Sequence, residues 1–443
     1  MIVAVQRRGV SRFVQPAAAS RRTSLLAALV GIYVTLLPFQ FQIGHQMNLA
    51  PSDCILPLIL LLSAGELKYR KAAWSFWHFG IVLVFAISSL VFALTAGELN
   101  RYELVNKDIG LLLLLLSYAV ITSTVMEWQD LRRILRIFTL SVVAQNLVMV
   151  ASFLGAYFWG ISTPFVEYGG SRLSGMLLDP NAYGGLLVLT LVICEGASFG
   201  KQPLFRGMPL LICRLTLGLG VLFTFSRSAW IALGLALLVL CIVRKQEAIK
   251  LALIGLIGGP CVFVLMGSGF ISFFERMAAR PKQVQGRFDI LRHAWAIFQQ
   301  HPLLGAGLGS FRIAERTVVH NTAFWFLADF GLVGLGTLLG FLGWFFFKAW
   351  FTYRVAPETE KPLVLALLLG QTAMFGLAMG IEAFYQRHWW LIMALIASSY
   401  SIARRELSIA APMQLRSGRH FSRAGMPVRG PVRFERAGLD TIR

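Results

Sequence analysis

Apolar runs long enough to cross the hydrocarbon core of a bilayer follow one another along most of this chain. That leaves few choices of fold. Backbone N–H and C=O groups in lipid must be paired within their own element, so the runs must be helices. Roughly twelve can be read, centred near Ile32, Leu58, Phe85, Leu115, Val148, Val188, Leu217, Leu235, Ile257, Gly336, Ala373 and Ile396. Composition agrees: 57% of the 443 residues are hydrophobic, 14% are charged, and mean hydropathy is +0.68. The expected fold is all-α, a polytopic transmembrane helical bundle. A basic cytoplasmic segment at 1–23 precedes a transmembrane domain at 24–403, which includes a longer outward loop at 268–320. A basic tail follows at 404–443, and its arginines among Gly, Pro and Ser predict disorder.

Orientation follows from the basic residues, because short cytoplasmic loops retain Lys and Arg during insertion. Arg7, Arg8, Arg12, Arg21 and Arg22 lie before the first run, and Lys68, Arg70 and Lys71 after the second. Arg132, Arg133 and Arg136, then Lys201 and Arg206, then Arg244, Lys245 and Lys250, then Lys348, Arg354 and Lys361 continue the alternation. Both termini are therefore expected in the cytoplasm. The first run is followed by no small-residue cleavage site and reads as an uncleaved span. Cys54, Cys194, Cys213, Cys241 and Cys261 form no C-x-x-C pair and read as packing residues.

A formal net charge of +20 raises nucleic acid as a partner, yet the cations flank spans and no recognition module interrupts them. The outward loop is the exception to the insertion bias. It holds Arg276, Arg280, Lys282, Arg287, Arg292, Arg312 and Arg316 against Glu275, Asp289 and Glu315. An anion on that side fits the excess, and phosphate is the anion that arginine forks match best. Within the loop Phe288, Leu291, Trp295 and Phe298 recur at helical spacing and predict an amphipathic interfacial helix, whose arginines contact either lipid headgroups or a ligand.

The densest polar signal is GAGLGSFRIAERTVVHNTAFWFLADFGLVGL, from Gly305 to Leu335, which sets His320 and Asn321 at the mouth of an apolar helix. The run Gly305, Gly307, Gly309 predicts tight turning, with a backbone nest for an oxyanion as the alternative; no ribose-binding acid follows to make it a dinucleotide motif. Two further outward loops carry an arginine. SRLSGMLLDPNAYGG holds Arg172 and a turn at Asp179-Pro180-Asn181, with Asn181 near a helix cap, and FTFSRSA holds Arg227. Each arginine alone reads equally as an anchor; convergence with Arg287 on one pocket is the functional reading. His293 and His301 have no carboxylate at metal-ligand spacing and read as surface or capping residues. Asp329 is a buried acid without an assigned role, Glu382 is expected to pair with one of the arginines, and Arg214 to snorkel inward.

Taken in order, SRLSGMLLDPNAYGG, FTFSRSA, HPLLGAGLGSF and VHNTAFWFLADFGLVGL resemble the O-antigen ligase and polysaccharide polymerase family of bacterial inner membranes, over roughly Gly170 to Leu339. The resemblance implies a multi-spanning glycosyltransferase with a periplasmic active site. The donor would be a glycan on undecaprenyl diphosphate and the acceptor lipid A core or another glycan. It implies His320 as general base, with Arg172, Arg227 and less firmly Arg287 on the diphosphate and inversion at the anomeric carbon. Asn321 would orient the imidazole or the acceptor, and Arg312 is a further candidate for substrate binding. His320 as an ordinary capping residue is the plain alternative. The chemistry fits independently, since an acceptor hydroxyl needs a base and a leaving diphosphate needs cations. The outward loops hold no clustered D-x-D, so arginines are expected to supply that charge, with no metal or cofactor. A polymerase of lipid-linked repeats, a flippase of an anionic lipid-linked glycan and a non-catalytic assembly subunit are the competing classes. A flippase predicts internal repeats, which the sequence does not show.

Overall fold

The computed structural model describes residues 17–43, 47–63, 71–167, 172–267, 275 and 281–421. Arg7, Arg8, Arg12, Lys68, Arg70, Arg276, Arg280 and the tail from residue 422 lie outside them. Apart from one antiparallel hairpin, β1 (Phe41–Ile43) with β2 (Met47–Leu49), the regular structure of the described residues is helical. The helices are α1 (Ala17–Leu36), α2 (Pro51–Ser63), α3 (Phe76–Ala96), α4 (Arg101–Thr124), α5 (Trp128–Trp159), α6 (Pro180–Gly196) and α7 (Gly207–Thr224). They continue as α8 (Arg227–Val243), α9 (Lys245–Met266), α10 (Pro281–Gln300), α11 (Ser310–Glu315), α12 (Thr322–Val355), α13 (Lys361–Ala378) and α14 (Arg387–Phe421). The chain divides into two compact units, Met1–Ile402 and Ala403–Arg443. In the second, α14 continues to Phe421, past Arg404, where the sequence places the start of the tail.

Every one of the expected span centres lies inside a helix. Among the described residues, however, six helices are long and apolar enough to cross a membrane: α3, α4, α5, α7, α12 and α13. Four apolar helices are shorter, including α6 and α8 at 17 residues each. At about 1.5 Å per residue these reach roughly 25 Å, less than a hydrocarbon core of about 30 Å. Burial accounts for the shortness of α6, whose residues are almost all enclosed by other helices, so lipid thickness does not set its length.

The core of the first unit is α6 packed against α13, with α8 beside both. Helix pairs in lipid gain little from apolar burial alone and depend on close approach at small residues. A Cβ on Gly196 would stand 2.7 Å from the Ala366 Cα, and one on Gly376 2.9 Å from the Ala232 Cα. Around this centre α7 packs on α5 and α6, α3 packs on α12, and α10 lies along α12. The hairpin of α6 and α7 brings the start of α6 and the end of α7 together. There Phe225 turns the chain with φ 47° and lets α8 begin two residues later.

Candidate functional site

Three helix N-termini meet at one end of this core, each capped by its own side chain. Asp179 Oδ1 accepts from the Asn181 and Ala182 backbone N–H groups at 2.6 and 3.3 Å and starts α6, with Pro180 in the first turn. The cap is thus Asp179; Asn181 lies two positions inside. Ser226 Oγ accepts from Ala229 N at 3.2 Å and starts α8. Asn321 Oδ1 accepts from Ala323 N and Phe324 N at 2.9 and 3.1 Å and starts α12.

Side chains interlock the three ends. Asn181 Oδ1 accepts from Ser226 Oγ at 2.9 Å and from Arg172 Nη2 at 3.1 Å. Asn321 Nδ2 donates to the Met379 carbonyl at 2.9 Å, while Thr322 Oγ1 donates to the Ile381 carbonyl and accepts from Ala383 N. The loop after α13 therefore seats the start of α12. All three non-glycine residues at positive φ among the described residues, Leu178, Phe225 and Arg316, lie close in sequence to these caps. Such conformations persist only where the surroundings enforce them.

The expected cations divide into two kinds. Arg172 is held: Nε donates to the Thr224 carbonyl at 2.9 Å, and Glu167 stands 3.7 Å from Nη1. It ties the loop before α6 to the end of α7. Arg227, exposed at the first turn of α8, and half-buried Arg287 on α10 make no hydrogen bond or ion pair with a described residue. They do sense each other. Burial, then the nearby Arg227 charge, push the Arg287 guanidinium below its usual range, and Asp179 partly offsets this. His320 belongs to the same group. Burial and then the Arg287 charge hold its imidazole below the usual range, with Asp179 opposing. His320 thus lies near Arg287, which in turn lies near Arg227 in the first turn of α8, where the helix N-terminus adds partial positive charge. Such a site can receive an anion and accept a proton.

Arg312 lies apart from this group. Its Nε donates to Glu103 at 2.5 Å and its guanidinium stacks 3.6 Å over Tyr102, so a carboxylate already occupies it. Glu382 pairs not with an arginine but with Lys107, which also lies 4.6 Å from the Trp325 and Tyr385 ring centroids. Lys107 sits in a wide-turned stretch of α4, Leu104–Ile109, a geometry that recurs at functional positions. Sequence reasoning missed it, although a lysine and an aspartate inside an apolar run are a signal in themselves. Arg214 is held by Glu195 through two bonds of 2.5 and 2.7 Å, in place of the expected snorkelling. His293 meets Glu315 at 2.9 Å and joins α10 to α11.

The glycine run proves to be both a turn and a nest, with an internal anion. Helix α12 breaks at Gly331 (φ 66°, ψ −161°), leaving backbone groups unpaired inside the bundle. The loop before α11 fills the break. Ala306 N and Gly307 N donate to the Ala328 and Asp329 carbonyls, and Leu332 N and Val333 N donate to the Pro302 and Leu303 carbonyls. The buried Asp329 carboxylate accepts from Gly309 N at 2.9 Å, Phe311 N at 3.2 Å and Trp325 Nε1 at 2.9 Å. No substrate anion is needed to explain the glycines. Their role is to let a loop enter a broken helix, where a Cβ on Gly305 would lie 2.3 Å from Phe330 N. The expected amphipathic helix is α10. Its Trp295 ring packs on Phe298 and Phe324, while Phe288 remains exposed.

Among the described residues no group of three or more His, Cys, Asp and Glu side chains is placed to hold a metal ion.

The bundle and its polar end define a multi-pass membrane protein. Residues 212–339 match the family described as O-Antigen ligase, a segment that contains three of the four motifs above and does not reach Arg172 and Asp179. Over this region the chain is similar to that family, and the match supports a membrane enzyme of O-antigen ligase or polymerase type. No curated protein matches the chain.

Proposed function

We propose that the chain moves a glycan from undecaprenyl diphosphate to the hydroxyl of an acceptor, lipid A core, at the periplasmic face of a bacterial inner membrane. The observation that carries this reading is the half-buried His320, whose imidazole is held below its usual range by burial and then by the nearby Arg287 charge, with Arg287 in turn near Arg227 and neither arginine paired with a described residue. His320 takes the acceptor proton as the acceptor oxygen bonds to the anomeric carbon. The bond from that carbon to the diphosphate breaks, and the attack from the opposite face inverts the centre. Arg227 and Arg287 receive the charge that grows on the leaving diphosphate, with each charge-assisted hydrogen bond contributing about 1.5–3 kcal/mol. Arg172 shapes the pocket through Asn181 and Thr224. Asn321 aims the imidazole by fixing the start of α12.

A polymerase would use the same donor and base and differ in its acceptor. Purified protein, given an undecaprenyl-diphosphate glycan with either lipid A core or a second lipid-linked repeat and no added metal, tests the assignment. Product on lipid A core is expected. Product on the second repeat alone makes the chain a polymerase, and no product with either contradicts the reading.

A further inference from the structure

The far end of the hairpin of α6 and α7 holds a second concentration of positive charge, independent of the glycan chemistry. A groove of about 550 Å³ opens between α5 and the loop joining these helices, lined by Arg132, Arg136, Lys201 and Arg206 among others. Among the described residues only Glu360 forms an ion pair with them, with Arg132 at 2.9 Å. Segments some seventy residues apart thus supply four cations against one carboxylate.

The three arginines are tied to backbone carbonyls, while Lys201 is exposed at the rim. Arg132 Nη1 donates to the Gln202 carbonyl, Arg136 Nε to the Leu204 carbonyl at 3.2 Å, and Arg206 Nη2 to the Lys201 carbonyl. Each guanidinium carries five N–H donors, so these carbonyls fix the groups and leave donors toward the groove. Fixed guanidinium forks beside a lysine match phosphate oxygens. An apolar wall begins immediately beyond Arg206: Met208, Leu211 and Leu215 are exposed along one face of α7. A phosphate joined to acyl chains satisfies both halves; a soluble phosphate satisfies only the first. Basic pockets of this kind between membrane helices bind anionic headgroups.

We infer that this groove is a binding site for the phosphate of an anionic phospholipid, with its acyl chains along α7. The test is native mass spectrometry of the full-length protein in micelles doped with phosphatidylglycerol, cardiolipin or phosphatidylethanolamine, with inorganic phosphate and pyrophosphate as soluble probes. Lys201→Glu with Arg206→Glu should lower retention of the anionic lipids roughly tenfold. Lys245→Glu with Lys250→Glu, the same charge change at the start of α9, should not. Arg136→Gln, which removes one fork, gives a milder variant if the double change disturbs folding, and an intermediate loss is expected. Equal retention of anionic and zwitterionic lipid overturns the inference, as does equal loss in both double variants. Displacement of lipid by phosphate or pyrophosphate at low concentration overturns it too, by making the ligand a soluble anion.

Discussion

His320 is useful only if its imidazole is neutral when the acceptor arrives, and its surroundings arrange that. Burial and then the Arg287 charge hold its pKa below the usual value of about 6.5, which favours the unprotonated base more than in a free imidazole. The acid limb of the transfer rate is therefore expected below that value. Arg287→Gln removes one cause of the depression, so the His320 pKa rises and the limb moves up toward 6.5, with weaker donor binding besides. A pH–rate profile of the two proteins checks the sign; an unmoved limb would show that Arg287 does not act on the base. The positions of His320 and Arg227 beside helix caps were legible in short motifs, because a few neighbouring residues build those caps. The ion pairs of Arg312 and Glu382 were not. Their partners, Glu103 and Lys107, lie more than two hundred residues away, and only the folded bundle brings them together.

At the scale of elements, the break in α12 organises the site. It shortens the outer part of the helix to Thr322–Phe330, and the glycine loop and Asp329 hold that piece against α3 and α11. Sequence reasoning saw the glycines and the acid separately. It could not see that one is the ligand of the other, since a nest looks the same whether its anion is internal or bound. Asp329→Ala leaves two backbone N–H groups and the Trp325 indole without an acceptor, at about 1–3 kcal/mol each. A fall in unfolding temperature is expected in detergent, smaller for Asp329→Asn, which keeps a carbonyl. Equal stability of wild type and Asp329→Ala would mean that the loop is held by other contacts.

The whole molecule presents two ends with different charge chemistry, joined by α6, α7 and α13. The positions of the helices were legible because apolar runs of this length have only one way to fold in lipid. Their number as spans was less so, because α6 is enclosed by protein and escapes the length rule, while α8 is equally short with one face exposed. With the Lys201 loop in the cytoplasm, a cysteine at Gln285 should react with an impermeant maleimide in intact spheroplasts of a cysteine-free variant, and one at Gln202 only after permeabilisation. The reverse pattern would turn the bundle over and place the His320 site on the wrong side for its donor. The central claim, that one residue moves the proton while others hold the diphosphate, is tested most directly by measuring donor binding and glycan transfer separately in His320→Ala. The account predicts donor affinity close to wild type with transfer slowed by about 10²–10⁴; transfer at the wild-type rate would contradict it.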